Sequence, residues 1–215
     1  MGIGGMWRFN ATALVVLIIV NSALAVGGET VLIILGILAL LGGMFFCFRE
    51  GMRVGHGACG VSSTLEGAKS AGEAVFAQID CKYMAQAWSR SNGLRALLAS
   101  ALIPYAVGCA YIVMTLLGAG EVPLVIARLA AWVLALPFWP IIAHWHADFV
   151  TLTPAIAAML MVSPFVLPGC TFAGYMQGPR LWAQSEKAMK EGRRRARART
   201  RVGRRVAPKQ QKPEI

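Results

Sequence analysis

Apolar positions in this chain are gathered into long uncharged runs, separated by short glycine- and charge-bearing connections. The first runs from Ala11 to Val26 and the second from Val31 to Phe48, with only Gly27-Gly28-Glu29-Thr30 between them. Runs of that length and character are membrane-spanning helices, and so short a connection makes them a helical hairpin. A third run, Leu94 to Leu117, is followed across Gly118-Ala119-Gly120-Glu121 by a fourth, Val122 to about Ile142, which predicts a second hairpin. Small residues recur every fourth position in both: Ala96, Ser100, Pro104 and Gly108 in one, Ala127, Ala131 and Ala135 in the other. Such rows let membrane helices approach closely and gain packing energy, so the two are expected to pack along these seams. Trp7, Trp88, Trp139, Trp145 and Trp182 fall near predicted ends, where interfacial tryptophans belong.

Between the hairpins the pattern changes. Gly51, Gly55, Gly57 and Gly60 crowd one stretch and predict irregular backbone there. Ser63 precedes Glu66 by three residues, a capping box that opens an amphipathic helix with Leu65, Ala68, Gly72, Val75, Ile79 and Tyr83 on its apolar stripe. Asn92-Gly93 supplies its stop. The last apolar segment, Phe149 to Tyr175, carries Pro154, Pro164 and Pro168. It is expected either to span as a kinked helix or to dip in and return as a re-entrant element.

The predicted fold class is therefore an all-α integral membrane protein: two transmembrane helical hairpins, an amphipathic loop helix and a proline-broken fifth apolar segment, span or re-entrant. Its divisions are residues 1–48 (first hairpin), 49–93 (polar loop), 94–179 (second hairpin and final apolar segment) and 180–215 (a basic, disordered tail). Composition agrees, with 57% hydrophobic and 14% charged residues. Ala23-Leu24-Ala25 also fits a secretory cleavage pattern, but a second apolar run begins almost at once, which favours the hairpin. Cys47, Cys59, Cys81, Cys109 and Cys170 lack metal-site spacing and read as packing residues.

Charge sharpens the topology. Of the 21 Lys and Arg, thirteen lie from Arg180 onward. The tail is expected in the cytoplasm, and Arg49, Arg53, Arg90 and Arg95 place the 49–93 loop there too. Five full spans would separate loop from tail by three crossings, so both assignments require four spans plus a re-entrant last segment.

Candidate chemistry is sparse. Arg128, about six residues into the fourth span, is the most interior charge, and Glu121 or Glu29 at the hairpin tips are its candidate partners. Asn21, inside the first span, suits an interhelical hydrogen bond. His144, His146 and Asp148 form a candidate metal set, although residues two apart point to different sides of a helix. The tail arginines Arg193, Arg194, Arg195, Arg197, Arg199, Arg201, Arg204 and Arg205 suit anionic lipid headgroups, then a protein partner or homo-oligomer. Nucleic acid ranks last, because no aromatic stacking residues accompany them. No P-loop, H-E-x-x-H or G-x-S-x-G occurs, and no cofactor is implied. The expectation is a non-enzymatic multi-pass component anchoring or scaffolding an assembly in a cell membrane, taken as a bacterial inner membrane. A small transporter or channel subunit is the alternative, and a metal-dependent membrane enzyme the third reading.

Overall fold

The apolar runs fold as helices, and no strand occurs among the described residues. The computed structural model describes residues 4–25, 30–77, 79, 81–118, 120–138, 140–141 and 152–206, and the side chains of these except at 4, 25, 75 and 198–206. In chain order the helices are α1 (Gly4–Ala25), α2 (Thr30–Ala71), the short α3 (Glu73–Ala77) and α4 (Cys81–Met84), and α5 (Arg90–Leu116). Next come α6 (Glu121–Ala135), which tightens into a 3₁₀ turn at Leu136–Phe138, α7 (Pro154–Met176) and α8 (Gly178–Val206). Five segments are long and apolar enough to cross a membrane: Gly5–Leu24, Thr30–Ala71, Arg90–Leu116, Glu121–Phe138 and Pro154–Arg197.

Burial follows the membrane pattern rather than the aqueous one. Large apolar side chains face outward, among them Phe45 (66% exposed), Leu102 (65%) and Ile126 (63%). Beside large buried residues such as Tyr111, Phe138, Ile156 and Leu167, the interior holds many alanines and glycines and the polar side chains of Asn10, Asn21 and Thr171. A water-soluble bundle of this size would bury the outward-facing large side chains; a bilayer solvates them.

Three packing clusters fix the direction of every long helix. Met6 of α1, Val54 and Ala58 of α2, Ala96 of α5 and Tyr175 of α7 meet in one cluster. This end collects the start of α1, the start of α5 and the finish of α7, with Arg8, Arg49, Arg53, Arg90, Arg95 and Arg180 nearby; it is the basic end. At the far end, Tyr111 of α5, Ala127 and Ala131 of α6 and Ile156 and Leu160 of α7 meet instead. Helices α1 and α5 thus run from basic to far end, while α2 and α7 return in parallel with each other.

The pairing of α2 with α7 rests on glycine. Gly51 and Gly55 of α2 face the backbone of Thr171 and Tyr175, while Gly174 faces Phe48 and Met52 and Gly178 faces Gly55. A Cβ on Gly51 would sit 2.9 Å from the Thr171 carbonyl carbon, and one on Gly174 would sit 2.9 Å from the Met52 nitrogen. Two glycines four apart on each side of the seam therefore bring two backbones into direct contact.

These contacts correct several expectations. The glycine-crowded stretch after Phe48 is not irregular: α2 runs through it unbroken, because its glycines are taken up in helix packing. Ser63 and Glu66 lie inside α2 and open no new helix; Ser62 and Thr64 hydrogen-bond back to the carbonyls of Ala58 and Gly60 at 3.2 and 3.0 Å. The helix stops at Ala71 because Gly72 adopts a φ of 127°, where side-chain-bearing residues are strained. Asn92-Gly93 does not end a helix but sits in the first turns of α5, with Gly93 against the Tyr175 ring. The final apolar segment is not broken: α7 passes Pro164 and Pro168 as one helix of 23 residues. Of the tail expected to be disordered from 180 to 215, residues up to Val206 are helical, in keeping with their Ala, Arg, Lys, Glu and Gln content, and 207–215 lie outside the described residues. Helices α5 and α6 are neighbours, but the small residues of α5 turn elsewhere: Ala96 to the basic-end cluster, Ser100 to Asn10 and Gly108 to Leu160.

Candidate functional site

Helix α6 begins at the far end, four residues after α5 finishes there, and heads inward. Its 3₁₀ turn ends at Phe138, packed among Ala13, Leu17, Leu40, Cys47 and Leu167. Those residues lie midway along α1, α2 and α7, so Phe138 sits at half depth. Pro140 lies against Gly36 and Asn21, nearer the far end again. Because α7 starts at the far end, Leu117 and Thr153 lie at the same end of the bundle. Eighteen residues suffice to cross by length, but the packing partners place the end of α6 in the middle.

Asn21 secures that half-depth turn. It is fully buried, and its amide Nδ2 donates toward the Pro137 carbonyl at 3.5 Å, the outer limit of a hydrogen bond. A helix end inside the bundle leaves carbonyls without intrahelical partners, and Asn21 reaches one of them. Its Oδ1 has no partner.

Arg128 is half-buried on α6, toward the far end. Its Nε is buried without a partner, and no ion pair joins it to the exposed Glu121 among the described residues. Glu29 lies outside the described residues, as do His144, His146 and Asp148. Among the described residues no group of three His, Cys, Asp or Glu is placed to hold a metal ion.

Beneath the end of α6, where a full-length helix would have continued, the bundle encloses a cavity of about 180 Å³. Helices α1 and α5 form its sides, α7 its back and the last turn of α6 its roof; Leu14, Ile103, Pro104, Leu134, Phe138 and Leu167 supply most of the apolar wall. Asn10 and Ser100 contribute the polar edge, but they are turned to each other. Asn10 Nδ2 donates to Ser100 Oγ at 3.2 Å, Ser100 Oγ donates to the Ala96 carbonyl at 2.7 Å, and Thr171 Oγ1 donates to Asn10 Oδ1 at 2.5 Å. This network ties α1, α5 and α7 together directly under Gly51 of α2. Sequence reasoning missed it, since Asn10 and Thr171 are ordinary polar residues 161 positions apart; only their place in long apolar helices signals that they need partners.

The basic end is fastened by aromatic residues. Tyr175 Oη donates to the Ser89 carbonyl at 3.2 Å and accepts from the Ser89 N–H at 3.1 Å, while its ring stacks on Trp88 at 6.2 Å. The Trp88 N–H reaches the Ala58 carbonyl at 3.2 Å and Ser62 Oγ at 2.9 Å, pinning the loop before α5 onto α2. On the other side of α2, Trp182 of α8 covers Gly60 and packs on the His56 ring at 5.2 Å. His56 Nε2 lies 3.2 Å from Ser185 Oγ, whose proton goes to the Trp182 carbonyl at 2.8 Å, so Nε2 is the donor in the first bond. Helix α8 thus crosses over α2 between Gly178 and Ser185 instead of following it to Ala71. From Lys187 to Arg197 it is exposed throughout, carrying Arg193, Arg194, Arg195 and Arg197. Arg199, Arg201, Arg204 and Arg205 continue the same helix. Among the described residues, Arg128 is the one Lys or Arg placed toward the far end.

No family model, no curated protein and no solved structure matches the chain.

Proposed function

We propose that the chain is a non-enzymatic membrane scaffold with four crossings, α1, α2, α5 and α7, and a half-depth α6. In this reading the basic end faces the cytoplasm and α8 is an arm for anionic lipid headgroups. The observation that supports it most is the arm itself: an exposed basic helix anchored to the bundle by Trp182, His56 and Gly178, at the end where the other basic residues gather. Each basic residue held near an anionic surface contributes about 1 kcal/mol, so eight arginines give an attraction that salt weakens strongly. The topology also removes the conflict between loop and tail, because the half-depth element is α6 and not the last segment. A fluorophore on Ala196→Cys, in a background without other cysteines, tests the arm. In nanodiscs containing phosphatidylglycerol it is expected to be quenched by headgroup-labelled lipid at low salt and released at high salt. Equal solvent exposure in anionic and purely zwitterionic discs would sink the proposal.

One observation favours the small-transporter reading: α6 ends at half depth, and discontinuous helices line many substrate sites. In that case Arg128→Ala abolishes flux through reconstituted protein while leaving its expression and thermal stability unchanged.

A further inference from the structure

The cavity beneath α6 is a built feature with a definite position, and its walls narrow the choice of occupant. An apolar cavity of about 150 Å³ stays dry and takes a ligand such as benzene, so the 180 Å³ beneath α6 is sized for a hydrocarbon group. A polar solute finds few hydrogen bonds on offer: Asn10 and Ser100 are engaged with one another, Thr171 and a backbone carbonyl, and the other polar side chains in a mostly apolar lining are Ser163 and Trp7. Left empty, its lining would forfeit dispersion contacts. The mouth lies between α1 and α5: Trp7 is 49% exposed and Ile103 is 64% exposed, yet both also line the cavity. It therefore opens sideways through the apolar outer surface. A tryptophan at that level marks the headgroup boundary, and the exposed Arg8 beside it suits an anionic headgroup.

We infer that this cavity is a binding site for one phospholipid of the leaflet at the basic end, with an acyl chain inserted beneath α6 and an anionic headgroup at Trp7 and Arg8. The lipid fills the volume that the second half of α6 would occupy, and in doing so supports the half-depth turn held by Asn21. The inference rests on the bundle residing in a membrane, and the experiment separates the two. The full chain is placed in nanodiscs containing phosphatidylglycerol with a diazirine along one acyl chain, irradiated, digested and mapped. Outward residues such as Leu98, Ile126 and Val162 report membrane residence itself. Enrichment of label at Ile103, Leu134 and Phe138 above that outer-surface level is the expected result. Ala11→Phe, which fills the slot, is expected to abolish the enrichment while leaving the outer-surface label intact. Labelled outer residues with no enrichment at the walls overturn the lipid site but not the membrane reading, and point instead to occupation by residues 142–151 or by a second copy. Absence of label on the outer residues overturns both. The wild-type map decides even if the filled variant does not fold.

Discussion

Helices α6 and α7 share the far end of the bundle and both meet prolines, yet α7 continues past two of them while α6 ends at its pair. Proline removes one N–H and displaces the carbonyl four residues earlier, so its effect depends on what takes up the freed group. In α7 the carbonyl released by Pro164 belongs to Leu160 and faces Gly108 of α5, where a Cβ would come within 3.2 Å of it. Two turns on, the glycine seam with α2 grips the same helix from the other side. Helix α6 has no such clamp: its alanines face α5 and α7, but Val122, Val125, Ile126, Leu129 and Val133 are exposed. At Pro137 it tightens into a 3₁₀ turn, and Asn21 reaches the Pro137 carbonyl there. The same residue type is thus a stop signal in one helix and a passenger in the next, and the neighbours decide.

The sharpest test of this contrast is all-or-none. If α6 returns and α7 crosses, cysteines at Val122 (start of α6) and Ala155 (start of α7) lie on one side of the membrane, and Cys81 lies on the other. Cys81 is exposed whereas Cys59 is buried, so Cys81 is the native residue to use. In intact cells a membrane-impermeant thiol reagent is expected to label Val122→Cys and Ala155→Cys, each in a background without other cysteines, and to reach Cys81 only after permeabilisation. Opposite labelling of positions 122 and 155 would mean that α6 crosses, whichever way α7 then runs.

Much of this architecture is legible in the sequence and some is not, for reasons that differ by element. Long apolar runs announce helices because a bilayer demands them, and α1, α5 and the first half of α2 fall where the pattern puts them. The stretch from Gly51 to Gly60 misleads because glycine is ordinarily weighed by its freedom in water. Inside a membrane bundle, glycines four apart are contact surfaces, just as the alanines of α6 are. The depth of α6 is illegible in principle: eighteen apolar residues have the length to cross, and only tertiary contacts tell where in the bundle Phe138 and Pro140 lie. The Asn10–Thr171 pairing is hidden by sequence distance. Of the site, Asn21 turns its amide toward the Pro137 carbonyl of another helix, while the pairing of Arg128 with Glu121 does not form among the described residues.

The clamp on α7 can be broken directly. Gly174→Ala pushes a methyl into the Phe48 and Met52 backbone, where no side chain can swing aside, and is expected to cost about 2 kcal/mol or more. The larger Gly51→Val adds a branched side chain against Thr171 and should prevent assembly. Gly57, in the same stretch of α2, has nothing within 4 Å of an added Cβ. Gly57→Ala is therefore expected to be neutral or to stabilise by about 0.5 kcal/mol through helix propensity. Thermal unfolding of purified variants, followed by loss of helical signal, separates the two classes. Equal effects at Gly174 and Gly57 would mean that the seam does not hold α7.

The smallest effect is expected where a sequence reader would look for the largest, at the prolines of α7. If neighbours decide, Pro168→Ala restores one N–H to a helix that was already continuous. Its expected change in stability is within about 1 kcal/mol, because the new hydrogen bond is offset by the loss of packing from a buried ring. Pro140→Ala is the matched change near the end of α6. There the ring lies where a Cβ on Gly36 would come within 2.5 Å of its Cγ, so it fills the gap between α2 and the half-depth turn. Removing it opens a void there, and Pro140→Ala is expected to lower the unfolding temperature more than Pro168→Ala. The reverse order would assign the break to proline itself, and neighbouring contacts would then have no part in why α7, and not α6, reaches the basic end.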